Sequence, residues 1–181
     1  DVYKRQASPE SGVIIVPNFS LGSVLATHFA TIAARYYESI EIVEAHHAAK
    51  VDSPSGTAVR TAELIGHARA DIGPVLAPHI DQSARGQQVA SVPIHSLRLQ
   101  GVAARQSVHF GGDGEVLTLS HETLGTSAYE AGMLLALRAA ATSTGLIVGL
   151  DRLIDLASTV SGGDIDDDAG DNAGDNAGDN G

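Results

Sequence analysis

The chain has no cysteine among its 181 residues. That excludes a disulfide framework, a thiolate zinc site and a cysteine nucleophile. Tryptophan is absent too, and aromatics make up only 4% of the sequence, which leaves little with which to stack nucleic-acid bases. Basic residues are few: 11 Lys and Arg stand against 22 Asp and Glu, for a formal charge of −11. General binders of nucleic acid or anionic membrane carry surplus cations, the reverse of this balance. Unbroken apolar runs reach about five residues, against roughly 20 for a membrane-spanning helix. No basic-then-apolar stretch of the signal-peptide kind opens the sequence. The expectation is a soluble, cytoplasmic protein with neither a nucleic-acid nor a membrane partner.

Apolar residues make up 43% of the chain, enough to build a core. The acidity is unevenly spread. The last 20 residues, from Gly162, read GGDIDDDAGDNAGDNAGDNG and hold 7 of the 22 acids with no base. The other 161 residues therefore carry 11 − 15 = −4, an ordinary surface charge. Gly, Asp and Asn have nothing to bury that would offset chain entropy, so 157–181 reads as a disordered acidic tail. A calcium-binding Asp/Gly repeat is the alternative, although such repeats stack on apolar residues and only Ala is available here. Residues 1–12 show no periodicity and read as a disordered leader. A single folded domain is expected over 13–156.

Within that body, 13–16 is a β-branched run ending at Pro17, as in a buried strand. Leu21, Val24, Leu25, His28, Phe29, Ile32 and Tyr36 recur at helical spacing behind Ser20, a plausible N-cap. The stretch SIEIVEAH, 39–46, reads as a strand with polar groups near its end. Glu44 and His46 share one face of it and His47 points the other way. A second amphipathic helix covers 57–70, and 73–88 is a polar, proline-broken loop. Stretches 92–100, 104–111 and 115–121 read as an antiparallel meander, with a strong hairpin signal at Gly111-Gly112-Asp113-Gly114. A last helix over 127–141 presents Met133, Leu134, Leu137 and Ala140. The fold class is α/β (α+β): a mixed sheet with an antiparallel meander and helices on one face.

The chemistry concentrates between Glu44 and Thr57. A strand feeding a helix N-terminus is where α/β proteins hold anions. Ser55, Gly56 and Thr57 offer free N–H groups and two hydroxyls; glycine permits close approach and Pro54 fixes the chain direction. His46, His47 and Lys50 add two titratable rings and a cation. Together they describe a pocket for a small polycarboxylate or phosphate with proton donors beside it. Other readings stay open. SPSGT alone is an ordinary turn and cap. A metal could use Glu44, His46, His47 and Asp52, yet adjacent histidines on a strand diverge and no HExxH spacing occurs, so the expectation is no metal. His28 reads as a core or interface residue, and His67 and His79 as surface groups. His95, His109 and His121 lie on meander strands; any could line a site, and spacing alone does not say which.

EAHHAAKVDSPSGTA, 44–58, resembles the signature of the dihydrodipicolinate reductase family, E-x-H-H/R-x-x-K-x-D-x-P-S-G-T-A. VPNFSLG, HSLRLQG, SVHFGGDGE, LSHET and AGMLLALRAA follow in the family's order, so the resemblance covers 13–155. It implies the substrate-binding and tetramerisation half of an enzyme of lysine and diaminopimelate synthesis. Such an oxidoreductase reduces 4-hydroxy-tetrahydrodipicolinate to tetrahydrodipicolinate with NADH or NADPH. It also implies roles: His46 as proton donor and Lys50 as a second acid that holds substrate. His47, Ser55, Gly56 and Thr57 would bind carboxylate, and Val16, Pro17, Asn18 and Phe19 the nicotinamide end of the cofactor. A homotetramer is implied as well. The sequence has no G-x-G-x-x-G turn for a dinucleotide, so the expectation is a partial chain, inactive alone in hydride transfer. Gly125 stands about where many members have Arg. The alternative is a non-catalytic dicarboxylate-binding or assembly module.

Overall fold

The computed structural model describes residues 12–154 and 156. The leader and acidic tail expected at the two ends lie outside the described residues, except that Gly12 already belongs to the first strand. In chain order the elements are β1 (Gly12–Ile15), α1 (Leu21–Ala33), β2 (Ser39–His46), α2 (Gly56–Ala68), β3 (Gln87–Val89), β4 (Val92–Arg98), β5 (Ala104–Gly112), β6 (Glu115–Thr123), α3 (Glu130–Thr142) and β7 (Gly145–Val148). Short 3₁₀ turns precede β3 and α3 and follow β7. No helix among the described residues is long and apolar enough to cross a membrane.

The expected mixed sheet is present, five strands in the order β3-β4-β2-β5-β6. The meander is divided. β5 and β6 form the hairpin the glycines signal, but β4 does not pair with β5: β2 lies between them, parallel to β4 and antiparallel to β5. The polar loop before it also contributes an edge strand, β3. β1 and β7 form a separate parallel pair.

α1 and α2 cover one face of the large sheet. The core there joins Ile40, Ile42, Val92, Ile94, Val108 and Phe110 of the sheet to Ala30, Ala34, Ala58, Ala62 and Ile65 of the helices. α1 and its C-cap thus bury small residues, Ser23, Ala30 and the capping Ala34, rather than the bulky stripe; Phe29 is 50% exposed, and Tyr36 just beyond the helix more so. The sheet side chains already fill the interlayer space, so a helix presenting Ala can approach closely where one presenting Phe cannot. α3 departs likewise. It packs against β1 rather than the large sheet, burying Gly132 and Ala136 and leaving Leu137 67% exposed. A Cβ on Gly132 would lie 1.9 Å from the Phe19 carbonyl oxygen, so only glycine lets α3 seat against that segment.

Arg69, 5% exposed, locks the helix ends together. It donates to the carbonyls of Ala34, Tyr37 and Gly73, groups left over where α1 and the chain after α2 turn away. The opposite face of the sheet carries Glu41, Val43, His95, Leu97, Ser107, His109 and Thr118, a mixed polar and apolar surface.

Candidate functional site

Strand register builds the site. Successive rows on the helix-facing side run Ile94–Ile42–Val108–Leu119, then Ser96–Glu44–Gln106–His121, then Arg98–His46–Ala104–Thr123. The first row belongs to the core. The next two are polar and reach the sheet end where α2 begins. There a cleft of about 550 Å³ opens, lined by Pro17, Asn18 and Phe19 and by His46, His47, Lys50, Ser55 and Thr57. Ala103, Ala104, Arg105, Gln106, His121, Thr123 and Tyr129 complete it.

Of the residues singled out in the sequence, the cleft therefore gathers His46, His47, Lys50, Ser55, Thr57, Pro17, Asn18 and Phe19. Val16 precedes the lining stretch without joining it. Gly56 is the first residue of α2, at the rim; a Cβ there would meet no atom of the chain within 4 Å. The fold itself does not require glycine at that position, and what its bareness leaves is room outside.

Glu44 is fully buried and is the hub. Its carboxylate accepts both terminal nitrogens of Arg98, at 3.0 and 2.9 Å, the Ser55 N–H at 3.2 Å and His46 Nδ1 at 2.6 Å. Burial pushes the Glu44 carboxyl up, but hydrogen bonds from Arg98, Ser96 and His46 outweigh it and hold the group below the ordinary glutamate range. An ionised Glu44 fixes the His46 ring through Nδ1–H and leaves Nε2 as its other hydrogen-bonding edge. Alternation along β2, read from sequence, thus placed Glu44 and His46 together as the structure has them. The sequence reading did not find Arg98, which lies 54 residues from Glu44 and meets it only because β4 runs parallel to β2.

Ser55 caps α2, its hydroxyl accepting the Ala58 N–H at 3.3 Å. Gly56 and Thr57 N–H groups, by contrast, make no hydrogen bond among the described residues, and they carry the positive end of the helix dipole. Lys50 Nζ lies 2.7 Å from Asp52, and that hydrogen bond holds the exposed Asp52 carboxyl below its usual range. Cations, imidazoles and bare amides around one opening suit an anion with more than one carboxylate. Among the described residues, no three His, Asp or Glu side chains are grouped to hold a metal. His28 is half-buried beside Phe29, and His67 and His79 are exposed.

A mixed α/β sheet domain with a cleft of imidazoles, a lysine and hydroxyls at a strand-to-helix crossing is the class these observations define. A family model described as dihydrodipicolinate reductase, C-terminus, matches residues 22–154. The 4-hydroxy-tetrahydrodipicolinate reductase of Clavibacter michiganensis is 73% identical over 145 residues, 80% of this chain and 52% of the relative. That of Streptomyces griseus is 50% identical over 153 residues, 82% of this chain and 61% of the relative. A solved structure, dipicolinate-bound dihydrodipicolinate reductase from Paenisporosarcina sp. TG-14, superposes with a TM-score of 0.69 at 36% identity, over 78% of this chain and 54% of the other. The chain belongs to the dihydrodipicolinate reductase family, on the C-terminal part of its members. It spans about half the length of the Clavibacter relative.

Proposed function

We propose that this chain forms the substrate-binding part of a 4-hydroxy-tetrahydrodipicolinate reductase of lysine and diaminopimelate synthesis. The observation that carries the reading is the cleft that brings His46, His47, Lys50, Ser55 and Thr57 to one opening beside Pro17–Phe19. The net reaction removes the ring hydroxyl as water and adds one hydride and one proton. NADH or NADPH supplies the hydride when bound, and Pro17, Asn18 and Phe19 of the cleft lining, with Val16 just ahead of them, would touch its nicotinamide end. No residue here has the glycine-rich turn that would hold the phosphates.

The chain's own side chains do the rest. Gly56 and Thr57 N–H groups with the Ser55 and Thr57 hydroxyls take one carboxylate at the α2 N-terminus. Lys50 and His47 take the other, and Lys50 serves as a second acid. His46 gives the proton, held in line by Glu44. Calorimetry with pyridine-2,6-dicarboxylate, a planar mimic of the ring, tests this on the chain as it stands. Binding is expected, and Lys50→Ala is expected to abolish it within the measurable range. An unbound wild type would overturn the reading.

The protein works in the cytoplasm as a homotetramer whose exposed sheet faces meet. In support, neither α1 nor α2 covers that face, and it mixes Val43, Leu97 and Val116 with polar groups, an uncovered sheet face of the kind that invites a partner. Light scattering after size exclusion is expected to give four copies; a clean monomer at micromolar concentration would count against assembly through this face.

A further inference from the structure

We propose that His121 is an additional ligand-binding residue of the cleft, presenting an uncharged Nδ1–H donor to a carboxylate of the bound dicarboxylate. The proposal rests on the dicarboxylate reading above and adds a group that neither motif nor resemblance assigns.

Four observations carry it. His121 lies on β6 in the row Glu44–Gln106–His121 and lines the same cleft as His46, His47 and Lys50. Its Nε2 is 3.1 Å from Ser20 Oγ, a contact spanning 101 residues of sequence. Ser20 is 2% exposed, and its oxygen already accepts the Ser23 N–H as the cap of α1. The buried Ser20 proton needs an acceptor, and among the described residues the one in reach is His121 Nε2. Nε2 therefore accepts, and the ring's own proton sits on Nδ1.

The ring's orientation follows from Gly22. A Cβ at that position would lie 2.8 Å from His121 Cδ2 and 2.9 Å from Nε2. The first turn of α1 thus backs the Cδ2–Nε2 edge, and Nδ1 lies on the far side of the ring. Nδ1 makes no hydrogen bond among the described residues. Burial also holds the His121 imidazole below its ordinary range, so the ring is neutral at physiological pH. Its neighbours are uncharged: Gln106 across the strands, which gives its amide N–H to Thr61, and Ser20 and Gly22 from α1. His121 can then orient a carboxylate through a directed N–H, as a complement to the less directional charge of Lys50.

Two variants separate this role from a structural one. Asn places an amide near Nδ1, whereas Gln reaches the position of Nε2 and keeps the Ser20 contact. With pyridine-2,6-dicarboxylate as the probe, His121→Gln is expected to weaken binding about tenfold or more, the usual worth of a hydrogen bond to a charged group. His121→Asn is expected to stay within about threefold of wild type, on the same scale. The reverse order, Gln rescuing and Asn failing, would make His121 a strut and overturn the proposal. Long-range ¹⁵N–¹H spectra of the wild type should show Nδ1 protonated and Nε2 bare near pH 7; an Nε2–H ring would overturn it too. Should the wild type bind and Lys50→Ala not, while both His121 variants match wild type, His121 falls and the dicarboxylate reading stands. Should the wild type fail to bind at all, that reading falls and takes this role with it.

Discussion

Glu44→Gln is expected to remove about 3–5 kcal/mol of folding stability at neutral pH, the usual cost of breaking a buried ion pair from one side. The amide keeps the shape but leaves the two-pronged Arg98 contact without its counter-charge at a fully buried carboxylate position. Urea unfolding at pH 7 measures the loss. The effect should depend on pH in a definite sense. Glu44's carboxyl is held lower in the folded protein than in the unfolded chain. Its contribution is therefore complete above the unfolded value of about 4.3 and is lost as pH falls through the folded one. The gap between wild type and variant should narrow in acid. A gap unchanged from pH 7 to pH 3.5 would mean that the charge of Glu44 does not carry the stabilisation.

His46→Ala is expected to cut turnover by about 10²–10⁴, the worth of a positioned general acid, in a protein that joins this domain to a dinucleotide-binding half. With Nδ1–H given to Glu44, a second proton on Nε2 makes the ring an imidazolium whose charge the carboxylate balances. Steady-state kcat of wild type and variant checks the loss. A variant within a few-fold of wild type would remove His46 from the proton-transfer step.

Much of the site was legible because it is local. Glu44 to Thr57 is one strand end, one turn and one helix start, and period-2 alternation sufficed to pair Glu44 with His46. Arg98, Gln106 and His121 were not legible, because their places depend on which strand lies beside β2. Nothing in the spacing of 92–121 reveals that β4 and β5 flank β2 instead of each other. The helices misled for another reason. Hydrophobic periodicity ranks residues by apolarity, and so it picks Phe29 or Leu137. Packing selects by shape against the facing layer, and here that layer, filled by Ile40, Ile42 and Phe110, accepts alanine. Gly132 is the extreme case: a residue that weakens helices in isolation is the one that lets α3 dock.

The row structure has a consequence for how the protein matures. Glu44 meets Arg98 across 54 residues and Ser20 meets His121 across 101. Contacts so distant along the chain come with a heavy loop-closure penalty and form late. No fragment of the sheet can carry a working cleft, and recognition competence should emerge only with the final cooperative transition. An anion seated there would tie five strands and two helices into one exchange-protected unit. Its occupancy would slow amide exchange at the backbone of β2, β5 and β6 in concert.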